Sequence, residues 1–264
     1  MLELIGTTIL TASIAVNLNA AITTMPLSPV QKLTTVSVAG LWIGFAIALA
    51  TTGIYASTAT PVPVVGFMVA LPVIVIGAAA LLSSAVRETL LALPVPLLIG
   101  LNTLRVFPGA FMVLLESQGH LSGPFPQSAG WGDIVVGLTA VPLTIAVARN
   151  FAANRGAVLA WNILGTLDLV AAVALGVLSA PASPLQIFGG AVGSTAMWSL
   201  PWSNIPTLLV PFYLIVHGII FARLARRMEK QQRDLCCGAV ACGQREQRGL
   251  RPEPHCAVCV NTAQ

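Results

Sequence analysis

Long stretches of this chain are apolar on every side, without the two-residue alternation of a half-buried strand or the single apolar stripe of a soluble helix. Seven such runs stand out, at 4–23, 33–55, 64–85, 90–115, 131–148, 157–179 and 205–224. Each approaches the roughly 20 residues a helix needs to cross about 30 Å of hydrocarbon. The pattern predicts an all-α integral membrane bundle of seven transmembrane helices. The first run carries several Thr together with Asn17 and Asn19. It has no basic segment before it and no clear small-residue cleavage site, so it reads as a retained helix rather than a signal peptide.

The polar positions between the runs set an expected orientation. Up to Ala222 there are five basic residues; Lys32, Arg87, Arg149 and Arg155 fall in the gaps after the first, third and fifth runs, and Arg105 lies inside the fourth. Arg223 closes the seventh run, and Arg226, Arg227 and Lys230 follow it. The alternate gaps carry none. By the positive-inside rule the N-terminus faces outward and the C-terminus lies in the cytoplasm, as an odd number of crossings requires. Residues 1–227 then form the seven-span domain and 228–264 a basic, disordered cytoplasmic tail, with the bacterial inner membrane as the expected location.

The gaps also differ in character. Those at 116–130 and 180–204 are rich in Gly, Pro and Ser, and Trp131, Trp198 and Trp202 stand at their edges, where interfacial indoles are expected. The apolar stretch 185–197 is too short for a span and suits an interfacial or re-entrant segment. Pro72, Pro108, Pro142 and Pro211 lie inside spans and predict bends, with Pro108 freeing the carbonyl of Leu104 beside Arg105. The sequence shows no internal repeat that would argue for an inverted-repeat transporter.

Composition agrees with a bilayer: 56% of residues are hydrophobic, 8% are charged, and mean hydropathy is +0.87. Five acids balance the five bases up to Ala222, so the net charge of +4 resides in the tail. That basic tail suits anionic headgroups. It also holds all five cysteines; Cys237, Cys242, Cys256 and Cys259 could supply four thiolates to zinc, although only the second pair has the usual spacing and no apolar residues surround the site. A reduced tail without metal is the simpler expectation, and no cofactor or nucleic-acid partner is implied.

The scarcity of charge gives weight to the polar residues within the runs. Asn102, Arg105, Gly109, Met112 and Glu116 share a face of the fourth run at helical spacing. An uncompensated Arg at mid-membrane costs about 2.5–3.5 kcal/mol on insertion scales. Asp168, along one side of the sixth run with Asn162 and Gly165, is within reach of a snorkelling Arg105. Asp133 at the outer end of the fifth run, and Tyr213 and His217 in the seventh, complete a candidate pocket: Asn102, Arg105, Glu116, Asp133, Asn162, Asp168, Tyr213 and His217. Such residues predict a site for a small polar or anionic solute, or for proton coupling, in a transporter or membrane sensor. Arg105 would be the anion or counter-ion site, and Asp133, Asp168 and His217 its titrating partners.

Other chemistries fit less well. A retinal Schiff base needs a lysine in the last span, which is absent; haem ligation needs facing His pairs, and His120, His217 and His255 do not provide them. Gly130-Trp131-Gly132-Asp133 resembles the GxGD motif of intramembrane aspartyl proteases, with Asp168 as the second acid, but that family's partner Asp precedes the motif and Asp168 follows it. A turn capped by Asp133 is the plainer reading. Gly193-Ser194 with His217 resembles rhomboid proteases without their Gly-x-Ser-x-Gly. Besides the transporter or sensor, two alternatives stand: an accessory subunit docking a membrane partner or a second copy through Gly165, Ala172 and Gly176, and an enzyme using Asp133 and Asp168.

The segments Leu104-Arg105-Val106-Phe107-Pro108-Gly109, Gly130-Trp131-Gly132-Asp133-Ile134 and Trp161-Asn162-x-x-Gly165-x-x-Asp168-Leu169 together resemble bacterial multi-pass membrane proteins with no assigned function. The resemblance covers residues 90–222. It implies a family and transfers no catalytic residue.

Overall fold

Apolar helices need few signals except where they stop, and in this chain Pro, Ser, Gly and Asn mark the stops. The computed structural model describes residues 1–57, 63–188, 190 and 192–226. α1 (Leu2–Thr24) ends ahead of Pro26, and Lys32 Nζ donates to the carbonyl of Thr23 at 2.9 Å, closing its C-terminal turn. α2 (Pro29–Thr51) opens with a capping box between Ser28 and Gln31 and with Pro29 in the first turn. α3 (Val64–Leu82) contains Pro72 and stops at Ser83, whose hydroxyl caps the short α4 (Ser84–Ala92). Leu93-Pro94 breaks the chain again, and α5 (Val95–Leu101) follows.

Pro108 has no N–H to offer the carbonyl of Leu104. The four residues Asn102–Arg105 tighten into a 3₁₀ turn that joins α5 to α6 (Val106–Ser117). Gly123 takes φ 85°, a left-handed conformation suited to glycine, and α7 (Pro124–Arg149) starts there. Asn154 donates to the carbonyls of Ala146 and Asn150 at the end of α7, and α8 (Arg155–Leu178) follows. α9 (Ile205–Arg226) begins with a π turn over Ile205–Leu209. No strand occurs among the described residues.

Among the described residues, seven helices are long and apolar enough to cross a membrane: α1, α2, α3, the α5–α6 unit Val95–Ser117, α7, α8 and α9. The all-helical expectation agrees with this, but several boundaries move. The second run ends at Thr51, not residue 55; the fourth begins at Val95 because 84–92 is a separate helix carrying Arg87 and Glu88. The fifth begins seven residues earlier than expected, since Gly130 and Gly132 lie within a continuous helix. The cysteine tail, with Cys237, Cys242, Cys256 and Cys259, lies outside the described residues.

Apolar clusters hold the helices together, and two of them lie among the described residues. The larger joins Leu10 of α1, Met112 and Leu115 of α6, Phe125 of α7, Leu169 of α8, and Leu209 and Tyr213 of α9. Trp202 belongs to this core rather than to an interface. It is 4% exposed, its ring centroid is 5.2 Å from that of Phe111, and it lies against Gly6, where a Cβ would come within 2.5 Å of the indole. The described residues of the 185–197 stretch form no span and end in a 3₁₀ turn, tied down where the Ser194 hydroxyl donates to the carbonyl of Gly176 at 2.9 Å. The smaller cluster packs α2, α3 and Leu208 around Tyr55.

Tyr55 sits in a 3₁₀ turn between α2 and α3 and donates its hydroxyl to the carbonyl of Ala46 at 2.9 Å. Burial pushes its phenol up to about 12 from 10.0. Burial thus favours the neutral phenol, whose stabilising contribution is complete below pH 10 and fades as pH rises from 10 through about 12. Tyr55→Phe should cost about 1 kcal/mol at pH 8. The gap between wild type and variant should close between pH 10 and 12, as read from unfolding midpoints in detergent.

Candidate polar site in the helix bundle

The sequence places one cation among the apolar runs, and its side chain is 0% exposed. Arg105 leaves the 3₁₀ turn and is bound from three other helices. Nε donates to Asp133 Oδ1 on α7 at 2.6 Å, and Nη2 donates to Asp168 Oδ2 on α8 at 2.5 Å. Nη1 donates to the carbonyl of Gly165 on α8 at 3.3 Å and to His217 Nε2 on α9 at 3.1 Å. Four of the five guanidinium N–H groups are therefore committed within the chain. The carbonyl it finds is that of Gly165, not that of Leu104 on its own helix.

The hydrogen bonds also fix the imidazole. A guanidinium can donate but not accept, so His217 Nε2 carries the lone pair and Nδ1 the proton. Nδ1 donates to Asn162 Oδ1 at 2.8 Å, and Asn162 Nδ2 donates to the carbonyl of His217 at 3.1 Å. These bonds leave His217 neutral, since a proton on Nε2 would face an N–H of Arg105. Trp161 lies 5.4 Å from the imidazole, centroid to centroid, and its indole N–H is directed to the carbonyl of Val136 and the hydroxyl of Thr139. The Tyr213 ring is 5.7 Å from the Arg105 Cζ, and its hydroxyl accepts from Asn17 Nδ2 of α1 at 2.9 Å.

Space for this cluster comes from glycine. A Cβ on Gly132 would overlap the carboxylate of Asp168, and one on Gly165 would come within 2.6 Å of the His217 ring. Gly109 brings α6 against α7 so closely that its Cβ would lie 2.6 Å from the carbonyl oxygen of Gly130. The Gly130-Trp131-Gly132-Asp133 segment is thus a helical contact surface and not a turn. Gly130 meets α6, Gly132 admits Asp168, Asp133 binds Arg105, and Trp131 projects outward at 54% exposure.

Of the sequence-derived candidates, Arg105, Asp133, Asn162, Asp168, Tyr213 and His217 come together. Asn102 is buried beside them but turns its amide to the carbonyl of Leu98. Glu116 stands apart, bonded to Gln127, whose side-chain carbonyl accepts from Trp131. Asn17 and Trp161 are members the sequence reasoning missed. Asn17 falls on a stripe with Gly6, Leu10, Ser13 and Ala21, all buried, and that spacing is the signal that could have found it.

A cleft of about 60 Å³ borders the cluster, walled by Val69 of α3, Met112 of α6, Phe125 of α7, Leu169 and Val173 of α8 and Val210 of α9. Asp133 is the one ionisable residue among the described residues lining it. Its side chain is 8% exposed, and its Oδ2 accepts no hydrogen bond among the described residues. No group of three or more metal-ligating side chains occurs among the described residues.

A family model described as Domain of unknown function (DUF8737) matches residues 62–225, more than half of the chain. The chain belongs to that family. The DUF8737 match contains Arg105, Asp133, Asn162, Asp168, Tyr213 and His217, while Asn17 precedes it. No curated protein and no solved structure matches the chain.

The charge count, two carboxylates to one guanidinium, makes the substitutions asymmetric. Arg105→Met leaves a buried acid, Asp133, and a part-buried one, Asp168, uncompensated and should destabilise by about 3–5 kcal/mol. Asp133→Asn keeps an acceptor for Nε and leaves a one-to-one pair, and should cost about 1 kcal/mol or less. Equal losses in detergent unfolding would contradict the bridging role of Arg105. Gly132→Ala should cost about 1–3 kcal/mol through overpacking against Asp168.

Proposed function

We propose that this DUF8737 chain is an integral membrane protein with seven crossings, an outer N-terminus and a cytoplasmic C-terminus, and that it takes a small solute into a cleft open to the outside, as a transporter or membrane sensor. The observation that carries this reading is the contact between cleft and cluster: Asp133 is among the residues lining the cleft and holds Arg105 through Oδ1. Occupancy of the cleft therefore acts on a charge network that joins the α5–α6 unit, α7, α8 and α9. The excess of carboxylates gives that network a use for a proton or a cation.

The positive-inside distribution supports the orientation, because Lys32, Arg87, Arg149 and Arg155 lie at the ends opposite the cleft's lining from 63–66, 173–177 and 205–206. Arg105 itself is a poor anion site, being enclosed and spent on protein acceptors. The aspartyl-enzyme alternative loses support for a related reason: the guanidinium binds both acids, whereas shared-proton chemistry needs the two carboxyls to face each other. Docking through Gly165 and Gly176 is also disfavoured, because those glycines pack on His217 and Phe125 of the same chain.

Accessibility tests this reading. In a variant with the tail cysteines replaced, Val173→Cys and Gln118→Cys should react with a membrane-impermeant thiol reagent on intact cells, and Asn150→Cys after permeabilisation alone. The reverse labelling of Gln118→Cys and Asn150→Cys would overturn the orientation, and an unreactive Val173→Cys would overturn the outward-open cleft.

A further inference from the structure

Resting on the cleft as a solute site, we propose that its ligand is an amphipathic organic monocation: an ammonium group bound at Asp133 Oδ2, with an apolar body lying between α7, α8 and α9. Three observations converge on this class. First, the described residues lining the cleft are apolar apart from Asp133, Ser194 and the indole N–H of Trp198, so the body of the ligand is hydrocarbon or aromatic. Ser194 is itself engaged, donating to the carbonyl of Gly176.

Second, the ionisable side chain lining the cleft is an acceptor. Asp133 is 6% exposed, its Oδ1 is held by Arg105, and its Oδ2 has no hydrogen-bond partner among the described residues. A carboxylate oxygen that no protein donor engages is open to a ligand N–H, and a charge-assisted hydrogen bond there is among the strong ones. A hydroxyl could also donate, but it would leave the charge unanswered.

Third, the charges choose the valence. Arg105, Asp133 and Asp168 sum to one excess negative charge when both acids are ionised, and His217 contributes none in the tautomer its bonds require. A monocation brings the sum to zero, an anion doubles the imbalance, and a divalent ion reverses it. In a low-dielectric interior that difference separates ligands of otherwise equal shape. Asp133 and Phe125 both line the cleft and lie eight residues apart on α7, about 12 Å along its axis. The body that fits is short.

A matched series provides the test: hexylammonium, 1-hexanol and hexanoate, titrated onto the full chain in zwitterionic lipid nanodiscs, with thermal midpoint and calorimetric Kd as readouts. Hexylammonium should raise the midpoint saturably and bind at least tenfold more tightly than either analogue. Asp133→Asn should lose at least tenfold of that affinity while remaining folded, and Val173→Trp, which fills the cleft without touching the cluster, should abolish saturable binding. Because the selectivity is read in the wild-type chain, it holds as a test even if a variant fails to fold. Equal binding of hexanol and hexylammonium, or binding unchanged in Asp133→Asn, overturns the cation assignment and leaves the cleft reading intact. No saturable binding by any of the three, with Val173→Cys reactive from outside, overturns the ligand class alone; an unreactive Val173→Cys overturns the cleft reading as well.

Discussion

One guanidinium is the point through which the central helices of this protein act on one another. Arg105 has no solvent to fall back on, so it draws its acceptors from α7, α8 and α9. In a low-dielectric surrounding a charge must find partners or raise the free energy of the whole bundle. The apolar contacts around it are interchangeable in kind, since one buried Leu can stand in for another at modest cost. The ion pairs are not. They fix which face of each helix points inward and at what height, because a carboxylate displaced by a turn no longer reaches.

The backbone is arranged to permit this. Pro108 removes a helical hydrogen bond and the preceding four residues wind more tightly, which turns Arg105 toward the neighbouring helices. Gly109 and Gly130 let α6 and α7 approach with backbone nearly touching backbone, while Gly132 and Gly165 clear room for the Asp168 carboxylate and the His217 ring. Small residues at helix contacts are a common means of close packing in membranes. Here they have a second consequence: the space they open is filled by polar groups, so the same positions serve packing and charge placement.

Much of this was legible in the sequence. Seven apolar runs and the lone internal Arg follow from composition along the chain, and Asp168 follows as partner from depth and side-chain reach. Asp133 was misplaced because Gly130-Trp131-Gly132 looks like a turn to any argument based on local preference; a close helix crossing, invisible without the partner helix, keeps those glycines helical. Glu116 was misassigned because a constant 100° per residue was carried through a segment that turns about 120° per residue for four positions. Asn102 illustrates a different limit, since a buried amide can satisfy itself on its own helix. Asn17 and Trp161 were missed because neither is ionisable, although both support groups that are.

The position of Arg105 in the chain carries a consequence for biogenesis. On the proposed seven-span reading, ribosomal synthesis delivers the fourth span before α7, α8 and α9, so the cation reaches the bilayer ahead of every group that neutralises it. Asp133 arrives first, then Asp168, and His217 last. Until then the insertion machinery, or the membrane's own edge, must shelter an unpaired guanidinium. On that reading the maturing protein passes through intermediates whose electrostatic imbalance is resolved one helix at a time.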